Sequence, residues 1–481
     1  MIKMKKLNIL ALAGVIAFGS GCQDKFDEYN ENKNKLSDVN INYELANITE
    51  GLENNFDFMS QVTGEYTEQY AWGYGQTPLY EYEGRNDKLW SNIYSKLATI
   101  NDVIERTAEA ETSLNKAQNA VAKVCKVYNM SLLTDVYGDV PYFEAGTGNF
   151  KPVYDSQQAI YNDFFKLLDE ATATLSSSEV FNLGDKDRVY GGDMTKWNKF
   201  ANSLRLRLAM HVRFVDASLA QAQASKAISA GVFAAGDDSG TLQNSATNSG
   251  YKNDAALFKE TVADLRVGKF FVDLLKSTSD PRLERLVDPN EDGVYEGYPN
   301  GSRIAASTDF SGPGPELGLW DKPDQILMFH EVCFLKAEAY LTGVGATKNE
   351  ATANEEYRKG IEASMLWWNV PADQIATYLD GANGNLTGDA ENKLKMIATE
   401  KYVSLFSGGH EVYTEMRRLG YPQLAQRTDD INFGLGETNG VMPRRCKYPE
   451  DESRYNTDNY DAAVAATNNN SFMHKVWWDT K

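Results

Sequence analysis

The chain has 481 residues, of which 42% are hydrophobic and 24% are charged, proportions that indicate a soluble globular protein rather than a disordered one. Asp and Glu number 68 against 48 Lys and Arg, so the formal net charge at pH 7 is −20. Because nucleic-acid phosphates must be met by clustered cations, this balance argues against a nucleic-acid partner. With only 4 His and 4 Cys, the chain has little material for a His-rich catalytic metal centre.

Residues 1–21 have the pattern of a lipoprotein signal peptide. Three lysines fall within the first six residues, and the apolar run that follows at 7–18 is too short to span a bilayer. The run closes on small residues directly before Cys22, which resembles a lipobox, although Gly19 stands where that motif prefers a leucine-like residue. We predict cleavage before Cys22 and lipidation of this residue, and the alternative is plain secretion with an accidental cysteine.

The acidic, polar segment at 22–40 has little to bury and is predicted to be a flexible tether. Its acidic residues also resemble the surface-export signal of certain Gram-negative lipoproteins. Three further cysteines, Cys125, Cys333 and Cys446, are widely spaced and form no CxxC motif. We therefore predict buried, unbridged thiols rather than a disulfide framework.

Residues 41–481 are predicted to form one helical domain. Apolar residues recur at steps of three and four, as at Trp197, Phe200 and Leu204, which is the spacing of one helix face. The same spacing predicts helices at 43–60, 87–107, 114–137, 157–175, 195–215, 219–230, 264–275, 325–341, 354–367 and 392–406. Strands are hard to find, so the predicted fold class is all-α, with tetratricopeptide-like helix hairpins.

The predicted helices are separated by long segments rich in Gly, Asn, Asp and Pro. Irregular loops of this length in a compact domain are usually functional. The main predicted loops are 66–85, 138–153, 236–252, 289–322 and 420–481.

Residues 70–87, which we call the aromatic loop, combine aromatic side chains with hydrogen-bonding groups. Sugar rings have apolar C–H faces, which proteins meet with flat aromatic rings flanked by polar groups. The candidate ligand-binding residues are Trp72, Tyr74, Tyr80, Tyr82, Arg85, Asn86 and Asp87 in this loop, together with Trp320 in a second Gly- and Pro-rich segment. The alternative is that these aromatic rings only pin the long loops onto the helices.

A candidate calcium site begins at Asp288. Asp288, Asn290 and Asp292 supply oxygen ligands at the first, third and fifth positions of a calcium loop, and a glycine follows. The twelfth position, which should be a bidentate Glu, is Pro299, so the segment is not an EF-hand. A pair of Asx-rich turns is the alternative interpretation. We predict that no cofactor is required and that calcium is the one candidate structural ion.

Enzyme motifs are weak in this sequence. It contains no phosphate-loop lysine motif and no G-x-S-x-G nucleophile elbow, and His330-Glu331 lacks the second His of a zinc protease motif. We predict that the protein is not an enzyme and has no catalytic residues. A glycoside hydrolase that uses two of the many carboxylates stays open as an alternative.

Several segments, taken in chain order, resemble the SusD/RagB family of nutrient-binding outer-membrane lipoproteins, in particular its SusD-like branch. The resemblance covers about residues 43–481 and rests on an ordered set of short motifs. These motifs are YGDVPY at 137–142, SDPRL at 279–283, Glu331 with KAEAY at 336–340, EKYVSLF at 400–406, Glu411 with RRLGYP at 417–422, PRR at 443–445 and WWD at 477–479.

The resemblance implies an all-α, tetratricopeptide-like fold and a lipid-anchored protein on the outer membrane that faces the extracellular medium. It also implies a partner, a SusC-like TonB-dependent β-barrel transporter, to which the lipoprotein delivers a captured glycan. Capture of peptides instead of glycans is an alternative that the family allows. The binding loops vary within the family, so the resemblance does not identify the ligand.

Overall fold

The computed structural model describes residues 40–52, 56–72, 86–109, 111–177, 187–248, 253–302, 304, 308–427 and 435–481. Residue contacts divide the chain after Tyr43, and residues 44–481 form one compact unit. The predicted signal peptide, Cys22 and nearly all of the predicted tether lie outside the described residues, so they stay predictions.

Helices dominate the described structure. In chain order they are α1 (Ile41–Glu50), α2 (Phe56–Phe58, continuing through a π-helical turn at Met59–Thr63 into Gly64–Tyr66), α3 (Asn86–Arg106), α4 (Ser113–Tyr137), α5 (Gln157–Leu175), α6 (Met194–His211), α7 (Ala217–Ala230), α8 (Asp254–Thr261), α9 (Lys269–Ser277), α10 (Leu283–Leu286), α11 (Phe329–Thr342), α12 (Glu350–Trp367), α13 (Ala372–Asp380), α14 (Ala390–Ser404), α15 (His410–Leu419), α16 (Glu452–Tyr455) and α17 (Thr457–Ala466). The predicted all-α class is confirmed.

Six short strands form three antiparallel pairs, which the sequence patterns did not reveal. They are β1 (Tyr70–Trp72), β2 (Val140–Pro141), β3 (Tyr154–Asp155), β4 (Gly240–Leu242), β5 (Leu265–Val267) and β6 (Asp324–Leu327). The pairs are β1 with β5, β2 with β3, and β4 with β6. Each pair fixes two loops against each other where the chain leaves the helical frame.

Most predicted helices lie where their side-chain spacing placed them, and polar caps set their starts. The helix predicted at 195–215 is α6, and the carboxylate of Asp193 accepts the N–H groups of Thr195 (2.9 Å) and Lys196 (3.1 Å) at its first turn. The hydroxyl of Ser156 caps α5 by accepting the N–H of Ala159 at 3.3 Å. Consecutive helices from α3 to α7 pack on one another, as do α11 and α12, which gives the predicted hairpin arrangement.

Four predicted segments are wrong in part. The helix predicted at 325–341 begins as β6, and α11 starts only at Phe329. The helix predicted at 43–60 is divided into α1, which ends at Glu50, and α2, which begins at Phe56. The helix predicted at 264–275 begins as β5, and α9 starts only at Lys269. Between them the N–H of Gly268 donates to the carbonyl oxygen of Gln69 at 3.1 Å, and a methyl group on Gly268 would lie 2.0 Å from the carbonyl oxygen of Glu68. This close approach lets β5 pair with β1 against its helical spacing. The loop predicted at 420–481 contains α16 and α17, and α17 escaped notice because Ala463 is its one buried residue.

The interior is apolar and closely packed with aromatic side chains. Trp197, Trp368 and Trp478 are among the largest fully buried side chains. Cys125, Cys333 and Cys446 are buried free thiols, as predicted. No helix in the described part of the chain is long and apolar enough to cross a bilayer.

Charged residues of the sequence motifs form buried ion pairs between helices. Arg418 of α15 donates to both carboxylate oxygens of Glu338 in α11 (2.7 and 2.6 Å) and of Glu415 (2.6 and 2.7 Å). Arg207 of α6 makes the same fork with Glu331 of α11, at 2.7 and 2.6 Å. All five side chains are less than a tenth exposed, so the motifs hold the frame together from within.

Candidate functional site

Trp72 is the last residue of strand β1 and lies near the N-terminal end of the aromatic loop. Its backbone N–H donates to Glu65 Oε1 at 2.6 Å, and its indole Nε1 donates to the carbonyl oxygen of Ser60 at 3.1 Å. The side chain is half-buried. One edge of the indole is therefore fixed on α2 while part of the ring remains accessible.

The carboxylate of Glu65 in α2 fixes strand β1 through hydrogen bonds. Burial raises the pKa of Glu65 to about 7, and the opposing influence of Arg427 and Asn300 is smaller. Asn300 Nδ2 donates to Glu65 Oε2 at 3.0 Å and to the carbonyl oxygen of Tyr70 at 2.7 Å. The strand that carries Trp72 is thus tied to α2 and to the segment around Asn300 at the same time.

The other end of the aromatic loop enters α3 close to the same helix. Lys88 forms an ion pair with Asp57, which lies one turn before Ser60 in α2. Asp87 is exposed beside this pair. The structure therefore fastens both ends of the loop, near Trp72 and near Asp87, to α2.

The remaining candidates of the aromatic loop are Tyr74, Tyr80, Tyr82 and Arg85, which lie outside the described residues, and Asn86, whose side chain is not described. Their role as ligand contacts stays a prediction.

Trp320 lies in the loop before β6 and is half-buried. Its carbonyl oxygen accepts the N–H of Asn253 at 3.1 Å, and Asn253 caps α8 through a 3.0 Å bond to the N–H of Ala256. In α8, the ring of Phe258 meets the ring of Phe56 in α2 edge-to-face, with centroids 5.3 Å apart. Trp72 and Trp320 are thus connected through α2 and α8, which pack on each other.

A small recess lies between α8, the loop before β6 and the end of α12. It is lined by Asn253, Lys322, Trp367 and Trp368, among others, and its space of about 40 Å³ suits a few water molecules. Lys322 Nζ lies 4.9 Å and 4.8 Å from the two indole centroids and 2.8 Å from Glu316. Burial lowers the pKa of Lys322, and Glu316 opposes this effect. No sequence motif marked Lys322, because its position between the two indoles arises only when distant segments pack together.

The three residues proposed for calcium use their oxygens differently. Asp288 forms an ion pair with Lys259 at 2.6 Å. Asn290 Oδ1 accepts the N–H groups of Asp292 (3.1 Å) and Val294 (2.8 Å), which is the geometry of an Asx turn. Two of the three candidate ligands are therefore engaged by protein groups, and calcium binding stays a prediction.

A second arrangement with metal-ligand chemistry lies in the interior, where His211, Glu411 and Glu415 converge. Lys401 Nζ lies 3.3 Å from Glu411 and 3.2 Å from Glu415, and Arg418 binds Glu415 as well. Protein cations therefore already meet these carboxylates, and the residues fit a buried ion network better than a metal centre.

Comparison with known proteins agrees with this architecture. The sequence profile of the SusD-like family, described as starch-binding and associating with the outer membrane, matches residues 31–449. Among curated proteins, none matches the sequence.

Solved structures with the same fold cover nearly the whole chain. A chitin-binding protein is 29% identical with a TM-score of 0.79, covering 92% of this chain and 100% of its own. A chitin-binding SusD homologue from Flavobacterium johnsoniae is 25% identical with a TM-score of 0.79, over 92% and 99% of the two chains. A SusD homologue from Bacteroides vulgatus shares the fold at 23% identity and a TM-score of 0.80, over 91% and 97%. With a family match that spans most of its length, this chain belongs to the SusD-like family.

Proposed function

We propose that this protein is a lipid-anchored capture protein of the bacterial cell surface. It binds a glycan and delivers it to a SusC-like TonB-dependent barrel in the outer membrane. The observation that carries the proposal is the family match over residues 31–449, since the family is described as starch-binding and associating with the outer membrane. Anchoring through Cys22 and an orientation toward the medium are parts of the same proposal.

The candidate site has the chemistry of glycan recognition. Trp72, at the end of β1, and Trp320, in the loop before β6, are half-buried aromatic residues that hydrogen bonds to neighbouring elements hold in place. Partly accessible rings of this kind suit the apolar faces of sugars, and the neighbouring polar groups suit their hydroxyls. Chitin-type oligosaccharides are the first ligands to test, because the relatives at 29% and 25% identity are named as chitin-binding. Starch-type oligosaccharides come second.

We propose binding without turnover. A hydrolase needs a carboxyl of raised pKa that faces the ligand, and Glu65, whose pKa burial raises to about 7, is the group of this kind beside Trp72. Both of its oxygens are already engaged by protein groups, Oε1 by the N–H of Trp72 and Oε2 by the amide of Asn300. This engagement supports capture over the hydrolase alternative.

The first test is titration of the purified protein with chitohexaose and maltohexaose, with free sugar products assayed in the same samples. We expect saturable binding of one of these glycans and no product. The Trp72→Ala variant should bind about 1–3 kcal/mol more weakly if the indole stacks on a sugar ring. Phe150→Ala is the matched control, because that ring is 91% exposed on a different loop.

The outcomes separate the alternatives. Unchanged affinity in Trp72→Ala would place the ligand elsewhere, and product release would favour the hydrolase. Binding of a peptide mixture with no glycan binding would favour peptide capture. The partner is tested separately by purifying the tagged lipoprotein in detergent from its own outer membrane, where a large co-purifying β-barrel is expected. Recovery of the lipoprotein alone would contradict delivery to a transporter.

A further inference from the structure

A second cleft opens where the start of α3 meets the C-terminal region. It offers about 540 Å³ of space and is lined by Asp87, Tyr448, Arg454, Tyr460 and Asn469, among others. A volume of this size falls in the range of small-molecule binding sites. Of these residues, only Asp87 belongs to the aromatic loop, so the cleft lies beyond the second end of that loop.

Aromatic side chains form part of the cleft wall and are held in place. The Tyr448 hydroxyl donates to the carbonyl oxygen of Asp139 at 2.9 Å, and the ring meets that of Tyr154 edge-to-face with centroids 5.0 Å apart. The guanidinium of Arg445 lies 4.1 Å from the Tyr448 ring centroid. Tyr460 in α17 is half-buried, so part of its ring remains available to a ligand.

Two polar side chains at the cleft have hydrogen-bonding capacity that no described residue uses. Asp87 and Asn469 are exposed, and neither side chain makes a hydrogen bond or ion pair with a described residue. Asn470 beside them is buried, and its Oδ1 accepts from Arg445 Nη1 and from the N–H of Tyr448, both at 2.9 Å. The contrast shows that Asn470 is structural while Asn469 is available to a ligand.

Asn469 lies in a run of three residues whose backbone is in the left-handed conformation. Asn468, Asn469 and Asn470 all have positive φ, at 53°, 59° and 58°. This left-handed conformation costs roughly 1–2 kcal/mol per residue for most L-residues, and Asn tolerates it best after glycine. The carbonyl oxygen of Val464 in α17 holds the run by accepting the N–H groups of Asn469 (3.0 Å) and Asn470 (3.3 Å).

The charges around the cleft nearly cancel. Asp87, Glu450 and Asp451 face Lys447 and Arg454, and Arg454 pairs with Asp451 at 3.2 Å and with Glu450 at 3.5 Å. A phosphorylated or strongly anionic ligand would need an excess of cations, which this cleft does not have. Donors and acceptors in similar number suit a neutral polyhydroxyl compound.

We propose that this cleft is a second glycan-binding site that takes a neutral oligosaccharide, with Tyr460 as the stacking surface and Asp87 and Asn469 as hydrogen-bonding groups. The inference rests on the proposed function, because it assumes that the chain binds glycans. Two sites at opposite ends of the aromatic loop give a polymer two points of attachment on one chain, which raises its affinity without any new contact.

The test counts bound probe molecules by equilibrium dialysis of the full chain with labelled chitotriose and, separately, maltotriose. The wild type should bind two molecules of one probe at saturation. The double variant Tyr460→Ala/Asn469→Gly should lose half of this binding, and glycine is chosen because it accepts the positive φ. The matched control is Tyr455→Ala/Asn468→Gly, since Tyr455 is 72% exposed and neither residue lines the cleft. Thermal unfolding of each variant verifies that it is folded.

The outcomes distinguish the cleft from the proposed function. If Trp72→Ala abolishes binding while the cleft variant binds as the wild type does, the cleft is rejected and glycan capture stands. If both double variants lose the same amount, the effect is not specific to the cleft and the proposal is overturned. If the wild type binds neither trisaccharide, the cleft proposal is overturned, and glycan capture is decided separately by the titration with chitohexaose and maltohexaose.

Discussion

The imidazole of His211 lies between two carboxylates in the protein interior. Its Nε2 is 3.2 Å from Glu411, and its Nδ1 is 3.3 Å from Asp135 and 3.0 Å from the hydroxyl of Tyr161. Burial opposes the charge on His211, but Glu411 and Asp135 outweigh this effect and raise its pKa to about 9. His211 is therefore a cation at neutral pH and balances acids that would otherwise be buried without a partner.

This raised pKa predicts a loss of stability in alkaline solution. The folded pKa of about 9 exceeds the unfolded value of about 6.5, so the contribution is complete below pH 6.5 and disappears as the pH rises through 9. We expect the wild type to lose about 3 kcal/mol of unfolding free energy between these pH values from this group. Urea unfolding at several pH values measures the loss.

The His211→Gln variant should show a much flatter dependence of stability on pH over this range. His474→Gln is the control, because the pKa of that partly buried His is lowered rather than raised, and it should keep the wild-type profile. Equal pH profiles for wild type and His211→Gln would contradict the assignment of a charged His211.

At the scale of elements, buried ion pairs join helices that are distant in the chain. Arg418 in α15 reaches Glu338 in α11, and Arg207 in α6 reaches Glu331 in the same helix. Breaking a buried pair leaves an uncompensated charge, which costs more than the pair itself contributes. These pairs therefore act as positional constraints on α11, the helix that follows the Trp320 loop and β6.

Removing one of these cations should destabilise the fold strongly. Arg418→Met removes one cation from each of Glu338 and Glu415, which keep Arg213 and Lys401 as ion-pair partners, and we expect a loss of about 3–5 kcal/mol in unfolding free energy. The surface pair of Lys269 with Asp273 in α9, in which both side chains are nearly half exposed, is the comparison. Lys269→Met should cost less than about 0.5 kcal/mol.

If Arg418→Met fails to fold, the double variant Arg418→Met/Glu415→Gln separates the charge effect from loss of packing. The second substitution removes the charge of Glu415, one of the two carboxylates that lose Arg418, and should recover part of the stability. A double variant no more stable than Arg418→Met would show that packing, and not charge, accounts for the loss.

The sequence predicts elements well where one apolar face carries the signal. The spacing of Trp197, Phe200 and Leu204 located α6, whereas the Ala-rich α17 buries one residue and produced no pattern. The helix predicted at 264–275 was wrong over β5, because the pairing of β5 with β1 joins residues that are distant in the chain. The supporting residues of the candidate site were not predicted for the same reason. Glu65, Asn253 and Lys322 make their contacts only when α2, α8 and the loop before β6 pack together.

At the scale of the whole molecule, the compact unit begins at residue 44 and leaves more than twenty residues between it and Cys22. The prediction that these residues tether the body to a lipid anchor remains open. An anchor of this kind holds the protein at the membrane through acyl chains, with the body in water.

Cys22→Ala should release the folded protein from the membrane. Fractionation of cells that express the variant should find it in the soluble fraction, with the helical circular-dichroism spectrum of the wild type. The Cys446→Ala variant is the control, because its thiol is buried in the body and it should stay with the membrane. Membrane retention of Cys22→Ala would contradict lipidation at this position.

The three buried thiols have a consequence for oxidative chemistry. Burial raises the pKa values of Cys333 and Cys446 to about 12, and it also holds the pKa of Cys125 well above the usual value. Since the thiolate is the reactive form, only about one molecule in 10⁵ presents it at pH 7 for a thiol with a pKa of 12. Peroxides and disulfide reagents therefore react very slowly at these three thiols while the protein is folded. Reaction at these sulfurs becomes a marker of unfolding.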